Sequence, residues 1–248
     1  MSNRRISQTD CKKLWGKSGN RCAICGEWLS QKVADGKEKL IGEMAHIYGL
    51  EEGSARHDFD KLKKEEINSY KNFILLCPSC HKKVDNDSIY YTYEKLHEIK
   101  EKHEKLVKTQ LKSNLLLVTF AELEVITRYI ISAPNYKSDE ELKIIPPGMK
   151  IKKNHLSSDV GNLITMGMTG VQQVKEYLNK NPDPQFLERL RSGFVIKYKD
   201  LKKQNLNGDA LFYDLWEFAY RSSNDFKEQA AGLTVLTYFF EICEVFEK

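Results

Sequence analysis

Asn72-Phe73-Ile74-Leu75-Leu76-Cys77-Pro78-Ser79-Cys80-His81 is the stretch whose reading decides the fold of the first half of this chain. Four consecutive apolar residues bounded by polar ones predict a short buried strand. It runs into a Cys-x2-Cys turn shaped by Pro78-Ser79, and a helix is predicted to begin over Cys80 to Asp85. The same spacing occurs upstream as Cys22-x2-Cys25. Four soft thiolates in two such knuckles can fill the tetrahedral shell of one Zn2+ and leave no position for water. A zinc held by Cys22, Cys25, Cys77 and Cys80 is therefore expected to be structural, and its removal should unfold a small module that depends on it.

Working outward from the knuckles, Thr9 or Asp10 can cap a short helix through Leu14 and Trp15, ahead of the turn Ser18-Gly19-Asn20. Strand-like Lys39-Leu40-Ile41 leads into Glu43-Met44-Ala45-His46-Ile47. Residues 49–64 are polar and read as a long loop. A charged helix is expected from Tyr93 to about Lys112, with Leu96, Ile99 and Leu106 on one side. These boundaries predict a first domain over residues 1–113 and a second over 114–248.

In the second part Leu116, Phe120, Leu123 and Ile130 fall at helical spacing, and the chain breaks at Pro134 and at Pro146-Pro147-Gly148. Further helices are expected at Val160 to Met168, Val171 to Leu178, Gln185 to Arg191 and Leu211 to Tyr220. The last segment carries two apolar stripes, Leu233, Leu236, Phe240 and Cys243 on one and Val235, Phe239, Ile242 and Phe246 on the other. Such a helix must be buried on both, inside its own domain or against another subunit. The expected fold class is α+β, a small zinc-stabilised module followed by an all-α domain.

Composition narrows the setting. Hydrophobic residues make up 41% of the 248, enough for genuine cores. No run is long and apolar enough to cross a bilayer, and the polar first ten residues do not resemble a secretory signal. Two lone cysteines beside four in knuckles fit a reducing, cytoplasmic setting better than a disulfide framework. Residues 1–113 carry 22 Lys+Arg against 17 Asp+Glu, whereas the remainder carries 17 against 18, so the basic excess that a polyanion would meet lies in the first part.

The residues around the knuckles supply what phosphodiester hydrolysis needs: a base to activate water, a divalent cation to neutralise phosphate charge, and a group that holds the base in place. His46, at the end of a strand, is the candidate base. His81 and Asp85 are four apart, so on a helix they share a face and can share a cation. Asn72 can tie the loop carrying His46 to that helix.

Cys22-x2-Cys25, Glu43-Met44-Ala45-His46-Ile47, the stretch from Asn72 to His81, and Asp85 together resemble the HNH endonuclease module, over roughly residues 10–105. The resemblance implies a ββα-metal fold in which a β-hairpin and a helix grip one catalytic Mg2+ or Mn2+. His46 then corresponds to the general base, Asn72 to the central asparagine and His81 to the final histidine. Asp85 corresponds to a further ligand or phosphate-binding residue one helical turn on. A bacterial defence subset whose first motif reads Glu-x-Ala-His-Ile, followed by a Gly-x-Arg loop, is especially similar. Gly53-Ser54-Ala55-Arg56 approximates that loop, and Arg56 is the candidate contact to substrate phosphate. Ala45 departs from the family, which commonly has an ion ligand there; either Glu43 or Asp58 supplies the missing oxygen, or the ion is held by His81, Asp85, waters and substrate phosphate alone, with Glu43 slightly favoured because it shares a strand face with position 45.

Asn154-His155-Leu156-Ser157, Phe186 to Phe194 and Ala230 to Glu241 are similar to the C-terminal dimerisation domain of ABC-three-component systems. Those are bacterial defence operons, and the resemblance implies a homodimer that docks a DNA nuclease to an ABC-type ATPase and a small accessory subunit. No nucleotide-binding loop is present, so any ATPase must be another chain. Two competing readings stand beside this one: a non-catalytic zinc module that binds nucleic acid or protein, and a stand-alone restriction-type nuclease.

Overall fold

The computed structural model describes residues 6–32, 38–49, 53–57, 66–115, 117–132, 147–242 and 245–246. The chain is α+β and divides into two compact units, residues 1–109 and 110–248. Leu116, Pro134, Pro146, Cys243, Asp58 and most of the 49–64 loop lie outside the described residues.

The first unit opens with α1 (Gln8–Ser18). Its cap is Ser7, two residues before the earlier of the two expected positions, and the Asp10 N–H donates to Ser7 Oγ at 3.0 Å. β1 (Ser30–Lys32) and β2 (Glu38–Leu40) pair antiparallel. β3 (Glu43–His46) pairs antiparallel with β4 (Phe73–Leu76), setting Glu43 opposite Leu76 and His46 opposite Phe73. A short 3-10 turn, Tyr70–Asn72, delivers the chain into β4. α2 (Pro78–Asn86) follows directly, with Cys77 as its cap and Pro78 in the first turn, where a missing N–H costs nothing. α3 (Tyr93–Leu115) closes the set.

A two-stranded ribbon does not stand alone in water. All four residues of β4 are buried here, with Leu14 of α1, Ala45 of β3, Val84 of α2 and Leu96 of α3 in the same core. Burying each large apolar side chain is worth about 1.5–3 kcal/mol. The strand is therefore held by its surroundings on both faces, and it carries the two elements at its ends into fixed positions.

The second unit is helical: α4 (Phe120–Ile131), α5 (Pro147–Lys153), α6 (Ser158–Met168), α7 (Val171–Lys180), α8 (Phe186–Lys203), α9 (Gly208–Ala219) and α10 (Phe226–Ile242). Residues 229–240 of α10 are all buried, packed among α4, α6, α7 and α9. Leu233, Leu236 and Phe240 of one stripe and Val235 and Phe239 of the other are thus covered within the unit, Ile242 is half-buried, and the helix ends at Ile242, short of the expected Phe246. Lys150 of α5 is 1% exposed, and its Nζ donates to Phe240 O at 2.9 Å, a cation placed on the carbonyls at the end of α10. α8 runs twelve residues beyond the expected end at Arg191. Gly193 does not stop it; a Cβ there would lie 2.7 Å from Ile130 O, so the glycine serves close packing against α4 inside a continuous helix.

Candidate active site and metal centre

The four knuckle cysteines come together through β4. The Ala23 N–H donates to Leu75 O at 3.0 Å, which seats the first knuckle beside the end of the strand. Cys77 follows that strand, and the Cys80 N–H points at Cys77 Sγ at 3.4 Å. The Sγ atoms of Cys22, Cys25, Cys77 and Cys80 all lie within 4.8 Å of one another. Cys25 Sγ and Cys77 Sγ are 3.8 Å apart, which is the edge of a tetrahedron whose centre-to-sulfur length is about 2.3 Å. Burial, with the neighbouring thiols adding to it, pushes the Cys80 thiol far up. Four thiolates at this spacing need a cation among them, and the donor set fits zinc. Among the described residues no other group of three or more His, Cys, Asp and Glu converges in this way.

His46 ends β3 with its ring against Phe73, centroids 4.3 Å apart. Its Nε2 lies 3.3 Å from Asn68 Oδ1. An amide oxygen only accepts, so Nε2 carries the proton and Nδ1 keeps a lone pair. Burial holds this imidazole below the ordinary histidine value; the Asn68 bond opposes that shift and the nearby His81 adds to it. Asn68 was not legible as a partner, because it sits in a polar turn 22 residues from His46 with no local pattern to mark it.

Asn72 is 1% exposed and faces backbone, not solvent. The Tyr48 N–H donates to its Oδ1 at 2.8 Å, and its Nδ2 donates to Tyr48 O at 3.1 Å and Ile67 O at 2.9 Å. These bonds fasten the chain leaving His46 to the entry of β4. The expected tie from Asn72 thus joins the two ends of the connection between β3 and β4, and α2 is reached by other means.

His81 stands between two carboxylates. Its Nδ1 lies 2.7 Å from Glu43 Oε2, and its Nε2 lies 3.3 Å from Asp85 Oδ2. The expectation that Glu43 joins His81 and Asp85 around one ion departs from this geometry. The two carboxylates occupy opposite nitrogens of one ring, so the three cannot converge on a single point. Nε2 and Asp85 face an open cleft of about 440 Å³, lined also by His46, Gly49, Ser54, Ala55 and Arg56. Two adjacent donors opening on a cleft fit Mg2+ or Mn2+, which keep several waters and need few protein ligands. Glu43 sits where it orients the histidine from behind.

Arg56 also differs from expectation. Its side chain is 5% exposed, and it donates to three backbone carbonyls and to Asp85 Oδ1 at 2.8 Å. A guanidinium turned inward in this way does not present itself to a substrate phosphate. The cations exposed on α2 beside His81 are Lys82 and Lys83.

Residues 22–90 match the HNH endonuclease family. This part of the chain is an HNH endonuclease domain, and the protein is a nuclease that acts on phosphodiester bonds. HNH nucleases depend on metal, and nucleic acid is the substrate that such a domain implies. No curated protein matches the chain. No helix among the described residues is long and apolar enough to cross a membrane.

Proposed function

We propose that the chain is a metal-dependent DNA endonuclease in which His46 is the general base and His81 and Asp85 hold the divalent ion. The observation that carries this reading is that one cleft is lined by His46, His81 and Asp85 inside the residues matched to the HNH family. His46 takes a proton from water at Nδ1, because Nε2 is engaged with Asn68. Asn68 and the backbone bonds of Asn72 keep the ring and its loop in place. His81 presents Nε2 to the cleft because Glu43 holds the proton on Nδ1. A Mg2+ or Mn2+ ion, when bound, neutralises charge on the scissile phosphate and leaving oxygen. Lys82 and Lys83 are the groups proposed to meet flanking phosphates. Cys22, Cys25, Cys77 and Cys80 would hold zinc as a structural staple.

Nicking of plasmid DNA with Mg2+ or Mn2+ tests the assignment. His46→Ala is expected to lose at least about 100-fold in rate with zinc content unchanged and the protein still folded. Equal cleavage by both proteins removes His46 from the mechanism. Retained DNA binding with no cleavage by the parent favours a non-catalytic zinc module.

For residues 114–248 we propose a homodimer that docks to an ABC-type ATPase and a small accessory subunit, making the nuclease the effector of a cytoplasmic anti-phage or anti-plasmid system. Support comes from the similar segments named above. Residues 229–240 of α10 are covered in their own unit, so the surface for self-association is sought among exposed apolar side chains such as Val125 and Tyr129 of α4 and Leu187 of α8. A monomeric mass at micromolar concentration sinks the dimer. The absence of an ATPase gene beside the nuclease gene favours a stand-alone restriction-type enzyme.

A further inference from the structure

Arg56 adopts φ +60°, a backbone conformation that L side chains rarely take. Its loop approaches Gly49 so closely that a Cβ on that glycine would meet Ser54 Oγ at 2.1 Å and Ala55 O at 2.5 Å. Both features turn the guanidinium inward. Its Nε donates to Ile47 O at 2.9 Å, one terminal nitrogen to Val84 O at 2.6 Å, and the other to Asp85 Oδ1 at 2.8 Å and His46 O at 3.4 Å. One planar group therefore joins the backbone at the base to the backbone and carboxylate of the second turn of α2. Because Arg56 occupies Oδ1, Oδ2 is the oxygen that stands 3.3 Å from His81 Nε2.

We propose that Arg56 is a positioning residue for the divalent ion: it pins Asp85 so that a single oxygen is offered beside His81 Nε2, and it fixes that donor pair relative to His46. The proposal rests on the assignment of His81 and Asp85 as the ion's donors. A lysine at position 56 places one ammonium where a flat fork now reaches four acceptors, so it cannot hold the carboxylate and the carbonyls together.

The test uses full-length, zinc-loaded protein without DNA, with Mn2+ binding read from the electron paramagnetic resonance signal of the free ion. The parent is expected to bind one Mn2+ in a manner abolished by His81→Ala. Arg56→Lys is expected to weaken that binding by about 10–100-fold, the range for outer partners of metal ligands. The double variant Arg56→Lys, Asp85→Asn is expected to bind no more weakly than Asp85→Asn alone, because Arg56 acts through that carboxylate. A general effect on folding predicts instead that the two losses multiply. Multiplied losses, or undiminished binding by Arg56→Lys, overturn the proposal. Parent protein with no Mn2+ binding that depends on His81 overturns the ion assignment itself, a result distinct from equal binding by parent and variant.

Discussion

Glu43 and His81 meet between β3 and α2, with Glu43 Oε2 accepting from His81 Nδ1 at 2.7 Å. On the proposed assignment this carboxylate would hold the proton on Nδ1, so that Nε2, 3.3 Å from Asp85 Oδ2, would offer its lone pair to the ion. Glu43→Ala should therefore raise the Mn2+ concentration needed for half-maximal nicking by about 10–100-fold. Glu43→Gln, which keeps an acceptor oxygen, should lose less. Equal losses in both would mean that the charge of Glu43 matters and its hydrogen bond does not.

The base must be neutral to accept a proton. Burial lowers the His46 value from its ordinary one, so the neutral form already predominates below about pH 6.5. Initial nicking rates at saturating metal should climb on the acid side with a midpoint below about pH 6.5. A plateau reached only well above pH 7 would assign the base to another group.

Stability has its own pH dependence in the first unit. His46, His97 and His103 are all held low, chiefly by burial. Below about pH 6.5 the unfolded chain takes up protons that the folded chain refuses, so stability is full above that value and is lost as pH falls. The melting temperature should drop between pH 7 and pH 5, and replacing His103, whose Nε2 donates to Ser18 O at 3.0 Å, should change the size of the drop.

Asn72→Ala would strand a buried N–H and two carbonyls that now pair with one side chain. Each stranded group costs about 1–3 kcal/mol, so a loss of about 3 kcal/mol or more is expected in denaturant unfolding of the zinc-loaded protein. Asn72→Asp keeps the acceptor for the Tyr48 N–H but sets a buried carboxylate against Tyr48 O and Ile67 O, so it should lose at least as much.

Each chain should carry one zinc, released on unfolding and lost in Cys77→Ser. The binding energy of such a site is about 10–16 kcal/mol, as large as the about 5–15 kcal/mol that stabilises a whole domain. Chelation should unfold residues 1–109 while most helical circular dichroism persists, because the second unit has a separate core. Concerted loss of the whole helical signal would count against the independence of that core.

How much of this could be read in advance depended on the range of each interaction. The knuckles and the His81 to Asp85 step were legible because chemistry and spacing coincide within a few residues. β4 announced itself by four apolar residues in a row, and the long terminal helix by its two stripes. Whether those stripes faced inward or toward a partner depended on α4, α6, α7 and α9, which no local pattern counts. Arg56 and Asn68 were opaque for the same reason. Their partners lie 9 to 29 residues away across a loop, and an arginine in a polar segment looks solvated until the fold shows which carbonyls it meets. Glu43 was read onto the correct face, but the ring that stands between it and Asp85 could not be foreseen from strand periodicity.

α2 is fastened twice within nine residues: at its first turn by the cysteine cluster and at its second by the guanidinium that grips Val84 O and Asp85. A beam clamped at two supports neither rolls nor slides, and the side chains at 81 and 85 ride on the span between and beside them. On the proposed assignment their distance from His46 would be a property of the resting protein, set before any nucleic acid arrives.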